Sequence, residues 1–257
     1  MYPTLLKIGN ITISSWGVMV AIAFLVAYMV SEFEFKRKRI DRNLLQPIFI
    51  ASVIGGLVGA KILFLMVNVS LSEFLNQPTG YLASGFTFLG GFLGALLLSL
   101  LIIWRKKASF WLIADAIIPA IAIGYGIGRI GCFLVGDDYG VPSNLPFAMA
   151  FPDGVVPTIV KVHPTQIYET IIMAGVFLLL WNLRKIPVPI GWLASVGFIL
   201  MGLERFLIEF IRVTTPSSIQ GLTIAQLMSL GIIALGIIKI IQLQKYDLKY
   251  FKRRRES

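Results

Sequence analysis

Residues 111–134 read WLIADAIIPAIAIGYGIGRIGCFL and contain only two charged side chains, Asp115 and Arg129. A helix needs roughly 20 predominantly apolar residues to cross about 30 Å of hydrocarbon, and this run is long enough. The whole chain agrees, since 57% of its 257 residues are hydrophobic, 14% are charged and the mean hydropathy is +0.83. Such a composition excludes a soluble globular protein, in which roughly half of the residues are polar. The sequence therefore predicts a membrane protein.

Six further apolar runs accompany this one, each bounded by charged or turn-forming residues. Together they predict an all-α polytopic membrane protein with seven transmembrane helices, in a single integral membrane domain over residues 1–257. The predicted spans are 13–33, 45–67, 86–104, 111–134, 165–183, 190–211 and 222–241.

The positive charges predict the orientation of these helices. Most of the 23 lysines and arginines lie in the loops after the first, third, fifth and seventh spans. The positive-inside rule therefore places the N-terminus outside and the C-terminus in the cytoplasm. The net charge of +10 is then expected to face anionic lipid, and we expect no nucleic-acid partner. With one cysteine, Cys132, and one histidine, His163, we expect no metal site and no cofactor.

Four cations lie inside or at the end of predicted spans, namely Lys61, Arg129, Arg205 and Arg212. In the predicted topology all four lie toward the outer leaflet. A cation at mid-bilayer depth costs roughly 2.5 to 3.5 kcal/mol, so we expect them to face a protein-lined site for an anion. The alternative is local pairing, because Arg205, Glu209 and Arg212 form one helical stripe. Since the four cations outnumber Glu209, we favour the anion site, and a lipid phosphate at the outer leaflet is the anion that fits it best.

The longest predicted outer loop, residues 135–162, is rich in acidic residues and prolines and is expected to fold as a cap. The sequence HPTQIYE follows at 163–169, where His163, Gln166 and Glu169 can share one helix face. His163 is either a helix cap or a functional group, and polar side chains that enter an apolar span raise the odds of function.

Pairs of glycines spaced four residues apart predict close helix packing, because they let two backbones approach. These pairs are Gly55/Gly59, Gly90/Gly94 and Gly124/Gly128.

The order of several motifs resembles the bacterial prolipoprotein diacylglyceryl transferase family over nearly the whole chain. The similar segments are 8–17, GAK at 59–61, GFTFLGG at 85–91, 115–119, GRIGCF at 128–133, HPTQIYE at 163–169, ERFLIEFIR at 204–212 and GLTIAQ at 221–226. The resemblance implies an enzyme of the bacterial cytoplasmic (inner) membrane, with seven helices and an active site toward the outer leaflet. It implies transfer of the diacylglyceryl group of phosphatidylglycerol to the thiol of a lipobox cysteine in a preprolipoprotein, which forms a thioether and releases glycerol phosphate.

The chain differs from the family at positions that bear on the mechanism. Leu89 stands where the family usually has a histidine, and Cys132 stands where it usually has an asparagine. Trp16 replaces a usual tyrosine, and Asp137 replaces a usual glutamate. The family's usual candidate for the base is therefore absent, so either another group accepts the thiol proton, or the acceptor differs, or activity is lost.

We expect Arg129 and Arg205 to hold the phosphodiester, with Arg212 and Lys61 adding positive potential and Glu209 orienting the arginines of its stripe. The base is expected among Asp137, His163 and Glu169. The expected catalytic residues are Arg129, Arg205, Asp137 and His163, and the expected substrate-binding residues are Arg129, Arg205, Arg212, Lys61, Glu209, Tyr139, Gln166, Tyr168 and Glu169.

Two alternative functions remain at this point. One is a homologous lipid transferase with a different acceptor. The other is an anion or lipid transporter in which Asp115 lines a path, although no inverted repeat is apparent in the spans.

Overall fold

The structure, a computed structural model, describes residues 1–9, 11–70, 74, 76, 80, 81, 85, 87–213 and 221–256. Seven helices of at least 17 residues lie in these ranges. They are α1 (Ser15–Arg37), α2 (Leu45–Asn68), α3 (Phe88–Arg105), α4 (Phe110–Val135), α5 (Thr165–Leu183), α6 (Trp192–Ile208) and α7 (Ile224–Glu256).

Five of the described helices are long and apolar enough to cross a membrane: Ser15–Arg37, Arg42–Asn68, Phe110–Val135, Thr165–Leu183 and Ile224–Lys245. Helix α3 has 18 residues and α6 has 17. The chain is thus a multi-pass, all-α membrane protein, while the seven crossings and their orientation stay predictions.

Several predicted boundaries need correction. The predicted start of the first span at residue 13 is wrong, because Ile11–Ser14 forms strand β2, which pairs antiparallel with β1 (Thr4–Ile8). Helix α6 begins only after Gly191, whose φ of 92° suits glycine, and ends in a 3-10 turn at Glu209–Ile211. The last helix continues to Glu256 rather than stopping at 241. The fifth span has the predicted bounds, and residue 86 lies outside the described residues.

The chain forms two compact units, one made of Met1–Ser31 and Ala114–Ser257 and the other of Glu32–Ile113. In the second unit, α2 and α3 pack through their glycines, as predicted. A Cβ atom on Gly55 would overlap the carbonyl oxygen of Gly94, and one on Gly59 would overlap that of Gly90. The backbones therefore touch directly.

In the first unit, Gly124 faces Ala23 and Ala27 of α1, as its predicted packing role requires. The same role for Gly128 is wrong, since no described neighbouring atom lies within 4 Å of its Cβ direction. The apolar core of this unit joins α4, α5 and α6 through six buried side chains, Ile118, Ala122, Met173, Val176, Leu180 and Leu193.

Asp115 caps one end of this core. Its buried carboxylate accepts hydrogen bonds of 2.8 Å from the backbone N–H groups of Gly191 and Ala194 at the start of α6. These bonds satisfy donors that a helix start leaves free. Asp115 therefore has a structural role, which weakens the transporter alternative.

The segment between α4 and α5 folds around a two-stranded antiparallel sheet, β3 (Met149–Phe151) with β4 (Thr158–Val162). Gly140 N–H donates to His163 O (2.8 Å), and Val141 N–H donates to Ile211 O (2.9 Å). These bonds bring together the end of α4, the start of α5 and the turn after α6. The predicted cap is thus a folded segment, and its outward orientation stays a prediction.

Candidate active site

Glu169 is the centre of a cluster of arginines in the first unit. Its carboxylate is fully buried and accepts a hydrogen bond from Nε of Arg129, which lies on α4. The other carboxylate oxygen lies 3.5 Å from Nη1 of Arg205 and 3.6 Å from Nη1 of Arg212. The Tyr125 hydroxyl donates to the same oxygen at 3.4 Å. One buried acid therefore holds three guanidinium groups together.

Asp138 bridges two of these arginines from the segment that follows α4. Its carboxylate accepts a hydrogen bond from Arg129 Nη1 (2.9 Å) and pairs with Arg212 Nη2 (2.6 Å). Burial raises the pKa of Asp138, but Arg212 and Arg129 outweigh it and hold the pKa below the ordinary 3.8. Its backbone is left-handed, with φ at 60°, a conformation that residues other than glycine rarely adopt. The Asp138 side chain is 44% exposed, so it is the accessible acid of the cluster.

Glu209 completes the set through its ion pair with Arg205 Nη2 at 2.8 Å, which confirms the pairing expected within the stripe. Three guanidinium groups thus meet three carboxylates, those of Glu169, Asp138 and Glu209. The argument that the cations outnumber their acidic partners is therefore wrong for these three arginines, because Glu169 and Asp138 come from distant positions in the sequence.

Each arginine nevertheless has one nitrogen that makes no hydrogen bond, although that of Arg205 lies within ion-pair distance of Glu169. Arg129 Nη2, Arg205 Nη1 and Arg212 Nε are buried and make no hydrogen bond to any residue that the structure describes. Buried donors in folded proteins are nearly always satisfied. The three guanidinium charges are balanced by Glu169, Asp138 and Glu209, and the three buried nitrogens can still donate to acceptor oxygens.

Asp137 and Cys132 lie beside the arginine cluster. Arg129 Nη1 is 3.5 Å from Cys132 Sγ, and the Asp137 backbone carbonyl accepts a hydrogen bond from the Gln166 side chain. Oδ1 of Asp137 is buried and without a hydrogen bond among the described residues. Burial, and then the charge of Asp138, raise the pKa of Asp137 above 3.8.

Cys132, Asp137 and Asp138 present ligand atoms within 4.8 Å of one another, which is the spacing of a metal site. Arg129 donates to two of these residues, however, and its positive charge would repel a metal ion at the same place. The donor set therefore suits an anion better than a cation.

The remaining predicted site residues have other partners. His163 Nδ1 lies 3.2 Å from the Tyr168 hydroxyl, and the Tyr139 ring stacks on Phe151 at 5.4 Å. Tyr168 also lines an apolar groove with Phe147. Within the described ranges, no hydrogen bond or ion pair joins His163, Tyr139 or Tyr168 to the arginines.

Lys61 belongs to the second unit. Its ammonium donates to the carbonyl oxygens of Tyr81 (3.1 Å) and Gly85 (2.8 Å) and lies 5.5 Å from the centre of the Phe64 ring. These contacts give Lys61 a local structural role, and its contribution to phosphate binding stays a prediction.

Glu204 was missed in the sequence. It precedes Arg205 on α6, is buried, and has one carboxylate oxygen, Oε1, with no hydrogen bond among the described residues. It interacts electrostatically with Arg205, Arg129 and Arg212. The sequence signal that could have identified Glu204 is an acidic residue inside an apolar predicted span.

Comparisons with known proteins cover nearly the whole chain. The family model described as prolipoprotein diacylglyceryl transferase matches residues 3–242. Three relatives are each named phosphatidylglycerol–prolipoprotein diacylglyceryl transferase. The Clostridium tetani protein is 30% identical over 241 residues, which are 92% of this chain and 96% of that protein. The Bordetella avium protein is 35% identical over 237 residues (89% and 87%), and the Nostoc sp. protein is 34% identical over 249 residues (91% and 87%).

Proposed function

Because the chain belongs to the prolipoprotein diacylglyceryl transferase family, we propose that its arginine cluster binds the phosphodiester of phosphatidylglycerol during transfer to a prolipoprotein thiol. The chain is a membrane transferase of lipoprotein biosynthesis. The observation that carries the proposal is the set of three buried guanidinium nitrogens without hydrogen bonds, on Arg129, Arg205 and Arg212. A phosphodiester has the acceptor oxygens to satisfy them.

The lipid phosphate replaces Asp138 in this proposal. Glu169 is fully buried and is paired with all three arginines, so it stays and keeps them in position. Asp138 is 44% exposed and occupies one nitrogen each of Arg129 and Arg212. A phosphate that takes the place of this carboxylate gains those two donors, while the charge of the cluster stays balanced.

The transfer forms a bond between the thiol sulfur and the terminal glyceryl carbon and breaks the bond from that carbon to the phosphate oxygen. The electron pair of the broken bond stays on the phosphate, which leaves as glycerol phosphate with one more negative charge. Guanidinium donors that are already in place stabilise this charge better than water does. Removing one such donor typically costs roughly 3 kcal/mol in the transition state.

Asp137 is the proposed acceptor of the thiol proton. A free thiol has a pKa of about 8.5 and is mostly neutral, so its attack is assisted by a base. Glu169 is engaged by three arginines, and His163 is hydrogen bonded to Tyr168. Asp137 has a buried oxygen without a hydrogen bond, and its raised pKa makes it a stronger base than an ordinary carboxylate. This role for Asp137 compensates for Leu89, where the family usually has a histidine.

The location follows from the charge pattern. Seven crossings with the N-terminus outside place the arginine cluster toward the outer leaflet of the bacterial cytoplasmic membrane, where phosphatidylglycerol keeps its acyl chains in the bilayer. The acceptor is the lipobox cysteine of a preprolipoprotein. The basic C-terminal residues 245–255 then face the anionic inner leaflet.

Purified protein in phosphatidylglycerol vesicles, incubated with a lipobox cysteine peptide, tests the function. We expect the peptide to gain the mass of one diacylglyceryl group and glycerol phosphate to be released in equal amount. Phosphatidylcholine vesicles and a peptide with serine in place of cysteine are the controls. An unmodified peptide after full incubation with intact, folded protein would contradict the proposal.

A further inference from the structure

The β3–β4 hairpin exposes aliphatic side chains that the transferase site does not use. Val155, Val156, Ile159 and Val160 are 62%, 50%, 88% and 52% exposed. Ile159 and Val160 are consecutive in β4, and consecutive strand residues point to opposite faces. Both faces of the strand are therefore at least half exposed at this point, as far as the described residues show.

The β1–β2 hairpin repeats this pattern in an unrelated part of the sequence. Leu5 and Leu6 are consecutive in β1 and are 57% and 51% exposed. Each hairpin also carries an exposed lysine beside its aliphatic pair, Lys7 in the first and Lys161 in the second. Two separate segments with the same combination indicate a shared environment.

Both hairpins are attached to the same end of α4. Tyr2 N–H donates to Leu134 O (2.9 Å), and Val155 N–H donates to Val135 O (2.8 Å). Trp16, at the start of α1, packs near Gly131 of α4 and is 47% exposed. Exposed tryptophan at the end of a membrane helix is typical of the interface between lipid and water. The hairpins thus lie where α1 and α4 leave the hydrocarbon.

Each hairpin also leads directly into a membrane helix. Strand β2 ends at Ser14 and α1 begins at Ser15, and Leu6 pairs with Ile13 just before this start. Strand β4 ends at Val162 and α5 begins at Thr165. At about 3.3 Å per residue, Ile159 lies at most about 20 Å along the chain from the first residue of α5.

We propose that the two hairpins form an interfacial anchor, in which the aliphatic pairs enter the upper acyl region of an anionic phospholipid leaflet and Lys7 and Lys161 contact its phosphates. Lysines with apolar stems are suited to this depth. The described residues of the two hairpins contain two lysines and one exposed acid, Asp153, so a second copy would present like charge to them. An anionic lipid surface is therefore the partner that fits.

The anchor also fixes the depth of the active site relative to the membrane surface. Gly154 of the β3–β4 hairpin packs on Gly136, so closely that a Cβ on Gly136 would lie 2.8 Å from the Gly154 Cα. Asp137 and Asp138 follow at once. The anchor rests on the membrane location of the chain and not on the phosphate-binding role of the arginines.

Spin labels placed on the hairpins test the anchor. Ile159→Cys and Leu6→Cys are each labelled with a nitroxide in vesicles of phosphatidylcholine and phosphatidylglycerol, and accessibility to oxygen and to a water-soluble nickel chelate is measured. Asn144→Cys, an exposed polar position before β3, is the matched control, and the parent chain corrects for labelling of the buried Cys132.

We expect both hairpin labels to be more accessible to oxygen than to the chelate, with the opposite order at Asn144. The proposal is overturned if the hairpin labels reach the chelate as readily as the Asn144 label does. It is also overturned if the labels are shielded from the chelate as strongly in detergent as in vesicles, and if this shielding appears only at high protein concentration. Such a result would indicate that a second copy covers the hairpins. Neither result depends on transferase activity, so failure of the anchor and failure of the proposed function are distinguishable.

Discussion

Replacing Arg129 with lysine separates the charge of this residue from its geometry. Arg129 uses Nε for Glu169 and Nη1 for Asp138, and it leaves Nη2 buried and without a hydrogen bond among the described residues. A lysine keeps the positive charge but has one nitrogen in place of three. Its three N–H groups share that one nitrogen, so lysine cannot occupy the separate positions that Nε, Nη1 and Nη2 of Arg129 take.

The expected loss follows from the number of donors. One preorganised donor is worth about 2.7 to 4 kcal/mol in the transition state. At about 1.36 kcal/mol per factor of ten, Arg129→Lys lowers kcat by roughly 100- to 1,000-fold. We expect a smaller effect on KM, because the charge remains and the phosphate gains most of its negative charge only as the bond breaks.

The assay is the initial rate of thioether formation on a lipobox peptide, followed by mass spectrometry, together with the Tm of each variant. Arg184→Lys is the matched control, because Arg184 is also buried and lies with its guanidinium carbon 3.5 Å from the centre of the Trp181 ring, at the other end of α5. We expect this control to keep its kcat. The reasoning is refuted if Arg129→Lys transfers at the parental rate, or if the Arg184→Lys control loses as much activity at equal Tm.

Three further predictions address the base, the central acid and the packing of the loop. Asp137→Asn should lower kcat by about 100-fold or more. In the parent, the rate should fall as the pH decreases through the raised pKa of Asp137, and this fall should disappear in Asp137→Asn but remain in His163→Gln. The pH–rate profiles of both variants decide which residue is the base. Glu169→Gln removes the one carboxylate charge that three buried guanidinium groups share. We expect the free energy of unfolding, measured with denaturant, to fall by about 3 to 5 kcal/mol. An unchanged free energy of unfolding would show that Glu169 does not organise the cluster. Gly140→Ala would place a Cβ against Ile211 O and 2.8 Å from His163 Cβ, so we expect about 1 to 3 kcal/mol less stability and lower activity. The control Gly175→Ala, with no described neighbour within 4 Å, should be tolerated. Equal Tm values for the two variants would contradict this expectation.

The helices could be predicted because each apolar run comes close to or exceeds the roughly 20 residues that a membrane crossing requires. The bounds of α5 are those predicted, since His163 and Pro164 mark its start and Arg184 its end. The two hairpins could not be predicted in the same way. Their strands have three to five residues, and Ile11–Ser14 is nearly as apolar as the helix that follows, so the pattern merges with the span.

The site could be predicted only where its members are neighbours in sequence. Arg205, Glu209 and Arg212 form a stripe because helical spacing brings them together. Arg129 and Glu169 are 40 residues apart, and their ion pair depends on how α4 and α5 pack. The position of Asp138 depends on a left-handed backbone that its residue type does not specify.

The affinity of the Asp138→Asn variant for phosphatidylglycerol tests the central claim most directly, that the lipid phosphate takes the place of this carboxylate on the arginines. Asp138 is ionised at neutral pH, because Arg212 and Arg129 outweigh the effect of burial and hold its pKa below 3.8. Native mass spectrometry of the purified parent and variants with added phosphatidylglycerol measures the affinity. The account predicts that Asp138→Asn binds the lipid more tightly than the parent and that Arg129→Lys binds it more weakly. Asp138→Asn binding no more tightly than the parent, at unchanged Tm, would contradict it.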